Sequence, residues 1–187
     1  NACSGTDTSG GTDPVDPVDP VDPVDPGPQQ VITANGSGMI DGSASVTITY
    51  DVSDDNANLT GLGLRVHYDS SVLTYSDFAD QFATGLITSA TDNAEAADED
   101  GNAATDRYIN INWASFTGLN WPGTLTQDLV TLNFSVADVD VDSTVIGFSS
   151  SSTPAGYGFS GEDYALPLLA GSLDFDQSGN GDALTDG

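Results

Sequence analysis

Five stretches of this chain alternate apolar and polar residues with a period of two, and that pattern leaves little choice of secondary structure. Val46, Ile48, Tyr50 and Val52 alternate with Thr47, Thr49 and Asp51, and Leu62, Leu64, Val66 and Tyr68 with Gly63, Arg65 and His67. Ile109, Ile111 and Trp113 alternate with Tyr108, Asn110 and Asn112, and Leu132, Phe134 and Val136 with Asn133 and Ser135. Val145 and Ile146 lead into Phe148. A strand turns successive side chains to opposite faces, so each stretch has one face to bury. Clusters of Gly, Asn, Asp and Ser separate the stretches and supply turns. A long amphipathic helix is absent from the pattern, and residues 77–86 carry only a short turn of one. The expectation is an all-β chain, an antiparallel β-sandwich of about eight or nine strands over residues 31–172.

Charge narrows the function. The chain has 29 acids against two arginines and no lysine, a formal charge of -27. Such a surface repels phosphate backbones and anionic lipid, which excludes nucleic acid as a partner. It attracts divalent cations, and it suits high salt, where self-repulsion is screened. Without lysine there is no Schiff-base chemistry and no Lys–Asn crosslink. Among the 187 residues His67 is the only histidine, and its neighbours in phase are Gly63 and Arg65. That phase predicts a residue on the solvent face of a strand. No Gly-x-Ser-x-Gly elbow occurs, so the chain reads as a non-enzyme.

The N-terminus reads as a tether. Residues 1–12 are rich in Ser, Gly and Thr and read as flexible. Cys3 is the one cysteine, which rules out an internal disulfide. The context Asn1-Ala2-Cys3-Ser4-Gly5 resembles the junction of a bacterial lipoprotein, with Cys3 as the lipidated residue. Over residues 13–30, proline recurs at 14, 17, 20, 23 and 26. A proline at every third residue matches the three-residue turn of polyproline II, and the intervening aspartates repel and stiffen it. At about 3.1 Å per residue the tract is a spacer on the order of 50 Å. The expectation is an extracellular, lipid-anchored protein that touches membrane only through that anchor. No apolar run approaches the length of a membrane span.

Two segments have the oxygen rhythm of calcium loops. Asp98, Asp100 and Asn102 alternate around Gly101, with Asp106 following. Over residues 173–187, Asp174, Asp176, Ser178, Asn180 and Asp182 occupy relative positions 1, 3, 5, 7 and 9, with Gly179 at position 6. Calcium takes six to eight oxygens, and the glycine allows the sharp turn such a loop requires. Position 12 is Thr185, with Asp186 one residue late. Both segments are therefore expected to bind Ca²⁺, the second as an incomplete loop. Asp138, Asp140 and Asp142 alternate with Val139 and Val141 and read as an edge strand whose charges block unwanted pairing.

Two family resemblances add to this reading. The run Leu59-Thr-Gly61-Leu-Gly-Leu-Arg-Val-His-Tyr68-Asp69-Ser-Ser-Val72-Leu73 resembles the early strands of cohesin modules, where a Tyr-Asp pair ends a strand and a leucine follows. Leu129 to Val136, then Thr144 to Phe148, resembles the later cohesin strands. The C-terminal loop looks like the first half of a dockerin-type repeat, and dockerins are the calcium-dependent partners of cohesins. The resemblance implies a jelly-roll sandwich that attaches to a protein, either a dockerin-like partner or a second copy of this chain. Cohesins share that sandwich with cellulose- and chitin-binding modules, so polysaccharide binding is the alternative. Trp121, ahead of Pro122-Gly123, is then the candidate glycan contact, whereas Trp113 shares its phase with Ile109 and Ile111 and belongs to the core. A structural subunit of an extracellular filament is a further alternative.

Overall fold

The computed structural model describes residues 25–82, 87–115, 121, 125–137 and 140–169. Among the described residues ten strands form, in the order β1 (Gln29–Ile40), β2 (Ser43–Val52), β3 (Gly61–Tyr68), β4 (Leu73–Ala79), β5 (Ile87–Ala94), β6 (Arg107–Ala114), β7 (Gln127–Val136), β8 (Ser143–Ser152), β9 (Gly158–Gly161) and β10 (Tyr164–Pro167). They make two five-stranded sheets, ordered β4-β7-β2-β1-β9 and β10-β8-β3-β6-β5. Every pairing is antiparallel except β1 with β9, which run parallel with Gln29 opposite Gly158. The all-β sandwich is as expected, with one or two strands more than the alternation suggested.

The register explains why the two sheets face each other. In the first, Val46 lies opposite Leu132 and Ile48 opposite Val130. In the second, Leu64 lies opposite Ile111, and Val66 is flanked by Ile109 and Phe148. These side chains point to one interior, and a single cluster of buried residues fills it. Burying each large apolar side chain is worth about 1.5–3 kcal/mol, so this one cluster outweighs any surface contact. Gln30 is buried at the margin of the cluster. Its Nε2 donates to Tyr50 Oη at 3.1 Å and to the Gly61 carbonyl at 2.9 Å, linking the first sheet to β3 of the second. On the side where β1 meets β10, a Cβ on Gly36 would collide with Leu166 Cδ1, so only glycine lets these strands approach.

Two sequence expectations are corrected. Residues 77–79 belong to β4, and 80–82 form no helix. The short segment pairs with β7, placing Phe78 opposite Leu132, and that partner decides the conformation. Residues 140–142 lie in the connection ahead of β8, not in a strand, with Asp140, Val141 and Asp142 all exposed. Alternation marked them as β, but an alternating stretch without a pairing partner cannot complete a ladder. Cys3, the Asp-Pro-Val tract up to residue 24, Asp138 and the loop from Asp174 to Asp182 lie outside the described residues.

Candidate functional site beneath the acidic loop

β3 lies in the middle of its sheet, between β8 and β6, so its outward side chains have neighbours on both sides. His67 stands opposite Gly147 on β8 and Tyr108 on β6. Residues 95–106, which join β5 to β6, fold back over this point. Glu95 N donates to the Asp106 carbonyl at 2.8 Å, and Asp106 N to the Tyr68 carbonyl at 3.1 Å, closing both ends of the loop. Inside it, Glu99 N donates to Glu95 Oε1 at 2.6 Å and Asn102 N to Asp100 Oδ1 at 3.1 Å. Gly101 takes φ +73°, a left-handed conformation that glycine adopts without strain.

The loop buries the imidazole completely. His67 is thus corrected from a solvent-face residue to a covered one. Its outward phase was read properly, but period-two patterning says nothing about a loop that returns from elsewhere. His67 Nε2 lies 2.7 Å from Ser149 Oγ. Nδ1 faces Glu95 Oε2 at 3.2 Å and Asp100 Oδ2 at 3.9 Å, and both carboxylates are almost fully enclosed. Neither approach has hydrogen-bond geometry, so Nδ1 has no hydrogen-bond partner. Thr105 Oγ1 lies 2.9 Å from Asp100 Oδ2 and 3.5 Å from Glu95 Oε2.

The predicted loop oxygens therefore separate. Asp100 turns inward to meet His67 and Glu95, two residues the calcium rhythm did not include. Asp98 is exposed. Asn102 Nδ2 donates to Asp163 Oδ2 at 3.0 Å. Asp106 accepts from Ser70 N at 2.7 Å and Ser70 Oγ at 2.6 Å. Burial pushes the Asp106 carboxyl upward, but the two Ser70 bonds, helped by Arg107, outweigh it and hold the group below the usual carboxylate range. Burial raises Tyr68 well above an ordinary phenol, and its 2.6 Å bond to Asp92 adds to the shift.

Beyond the loop, the outer surface of the second sheet is small and polar, with Asn110, Asn112 and Ser149 flanking β3. Arg65 stands here with its guanidinium carbon 5.3 Å from the centre of the Tyr108 ring. Its Nε is buried without a hydrogen-bond partner. Arg107 is paired with Asp92 at 2.8 Å. Among the described residues, Arg65 has no carboxylate partner.

Trp121 is buried, with 6 % of its surface exposed. Its ring packs 4.6 Å from Tyr50, 5.0 Å from Trp113 and 5.1 Å from Phe82, measured between centres. The expectation of a ring offered to a sugar is corrected, because the apolar rings of both sheets draw the indole inward. Trp113 is buried as expected.

No protein-family model and no curated sequence matches the chain. Solved structures do. A cohesin module from a family 33 glycoside hydrolase of Clostridium perfringens superposes with a TM-score of 0.51 at 9 % identity, covering 77 % of this chain and 98 % of that one. The solution structure of CaCohA2 from Clostridium acetobutylicum gives 0.49 at 12 % identity, covering 76 % and 92 %. The third cohesin ScaC of Acetivibrio cellulolyticus, solved in complex with the ScaB dockerin, gives 0.49 at 16 % identity, covering 76 % and 99 %. The chain has a cohesin-like β-sandwich fold.

Proposed function

We propose that this chain is a non-catalytic cohesin-like module that attaches to a protein partner through the outer surface of the β10-β8-β3-β6-β5 sheet beside the acidic loop. The observation that carries the reading is Arg65. In a chain of charge -27, an arginine with no carboxylate partner among the described residues sits on a small, polar strand surface, stacked on Tyr108. Stacking holds the guanidinium fork in place, so little freedom is lost when a partner's carboxylate docks. A flat surface of short side chains suits another protein better than a small molecule. The cohesin-like fold supports the same reading, and so does the enclosure of His67, which leaves the chain's single imidazole shut away from substrate.

The partner is a dockerin-like segment that holds calcium. The loop of Asp174, Asp176, Ser178, Asn180 and Asp182 makes a second copy of this chain one candidate, in a head-to-tail contact that propagates. Acylation at Cys3 and the Asp-Pro-Val spacer place the module on the outside of the cell, held away from its anchor. The burial of Trp121, the ring expected to meet a sugar, favours a protein partner over a glycan.

Titration calorimetry against a complete dockerin-type repeat, with calcium and with EDTA, tests the proposal. We expect binding only with calcium, weakened about 10- to 100-fold by Arg65→Ala, the loss of one charge-assisted bond of roughly 1.5–3 kcal/mol. Light scattering of the chain alone, with and without calcium, reads self-association. Monomers throughout, together with retention on cellulose or chitin, would overturn the reading.

A further inference from the structure

We infer that His67, Glu95 and Asp100 form a binding site for a divalent transition-metal ion of the zinc class, which fastens the acidic loop to β3. One nitrogen and two carboxylate oxygens, His67 Nδ1, Glu95 Oε2 and Asp100 Oδ2, lie within 4.8 Å of one another. In a tetrahedral site with bonds of about 2.0–2.1 Å, neighbouring ligand atoms sit about 3.4 Å apart. The observed separations of 3.2 and 3.9 Å from Nδ1 bracket that value, so the ion enters with small side-chain movements.

Three observations point to a cation rather than to a cluster of acids satisfied by itself. The first is the buried Nδ1 with no hydrogen-bond partner, aimed between two carboxylate oxygens. In the tautomer whose Nε2 donates its proton to Ser149 Oγ, Nδ1 presents a lone pair to two anions, a repulsion that a metal ion between them removes. The second is Ser149 itself. Ligating imidazoles commonly bond their other nitrogen to such a group, which fixes tautomer and ring orientation. The third is Gly147, where a Cβ would collide with Asp100 Oδ2. The strand opposite His67 thus leaves room for this carboxylate. Thr105 has one hydroxyl hydrogen for the two carboxylates and cannot neutralise both.

The donor set selects the metal. Calcium takes six to eight oxygens and has little use for imidazole. A nitrogen with two carboxylates suits zinc and its neighbours, and three protein ligands leave one position for water. The site neighbours Arg65, whose register partner Ser149 bonds His67 Nε2, but its ligands lie beneath the loop and are buried whichever partner docks.

The test uses the full chain, stripped with EDTA and dialysed, then titrated with Zn²⁺ alone and with Co²⁺ as a coloured substitute. One tight ion per chain is expected, together with visible Co²⁺ bands and a raised melting temperature. His67→Gln should lower affinity roughly 100-fold or more, and Gly147→Ala or Ser149→Ala about 10- to 100-fold, the range for groups that position a ligand. If His67→Gln fails to fold, nuclear magnetic resonance of the wild-type imidazole keeps the question answerable. Addition of Zn²⁺ should shift the Nδ1 resonance and leave the proton on Nε2. An imidazole carrying a proton on Nδ1, with or without one on Nε2, and unmoved by Zn²⁺ overturns the inference, because the proton then takes the place of the ion. So does displacement of the ion by millimolar calcium, or affinity unchanged in Asp100→Asn and Gly147→Ala.

Discussion

Tyr68 shows how one side chain ties the core to solution conditions. Its ring packs on Phe134 with centres 5.2 Å apart, while its hydroxyl reaches Asp92. Because burial raises its ionisation, the unfolded chain gives up phenol protons above about pH 10 while the folded chain keeps this one. Stability must therefore fall as pH rises past that point. We expect Tyr68→Phe to cost about 1 kcal/mol at pH 7, the net worth of a hydrogen bond, and to flatten the alkaline decline. Urea melts at pH 8 and above pH 10 compare the two. Asp106 has the opposite sign. A carboxyl held low by Ser70 stabilises the fold above the unfolded value near 4, and that contribution disappears as pH falls through its folded value. Ser70→Ala should thus lower the melting temperature at pH 7 and have little effect in strong acid. An equal loss at both pH values would remove the ionic explanation. Trp121→Ala should cost about 3–5 kcal/mol, as for a large buried ring, and equilibrium unfolding measures it.

At the scale of elements, β2, β3, β6, β7 and β8 were legible because each alternates apolar side chains facing the opposite sheet with smaller or more polar ones on its outer face. The remaining strands were less legible, for identifiable reasons. β1 is buried only near Gln30 and Ile32, and its second half carries Gly36 and Gly38 and stays largely open. β4 gets its conformation from β7. β9 and β10 have four residues each, too few for a period to register. The candidate site divided in the same way. The density of acid in residues 92–106 was visible, and so was the isolation of His67. Their meeting was not, because Glu95, Asp100 and Gly147 come together through the return of a loop and the pairing of β3 with β8. A search for carboxylates placed opposite a strand histidine would have found it only with the sheet order in hand.

For the whole molecule, charge is the governing quantity. Acids such as Asp54, Asp98 and Asp140 face water, yet folding a chain of charge -27 holds its acids closer than the unfolded state does, and self-repulsion opposes compaction. Salt screens that repulsion, with a Debye length near 10 Å at 0.1 M and about 3 Å at 1 M. The melting temperature should climb steadily between 10 mM and 1 M NaCl, measured by circular dichroism. A flat profile would mean that the acids are already neutralised by bound cations.

The parallel pairing of β1 with β9 has a mechanical consequence. Gln29 to Ile32 run alongside Gly158 to Gly161 in the same direction, so a pull on the N-terminal end of β1 and an opposing pull on the C-terminal end of β9 slide the two strands lengthwise. Their hydrogen bonds then share the load together. In a hairpin opened from its loose end they would break one after another. β1 is held by β2 on its other side as well, so it resists tension as a strand gripped along both edges. Tension along that line would meet β1 and β9 in the direction this pairing is best placed to bear.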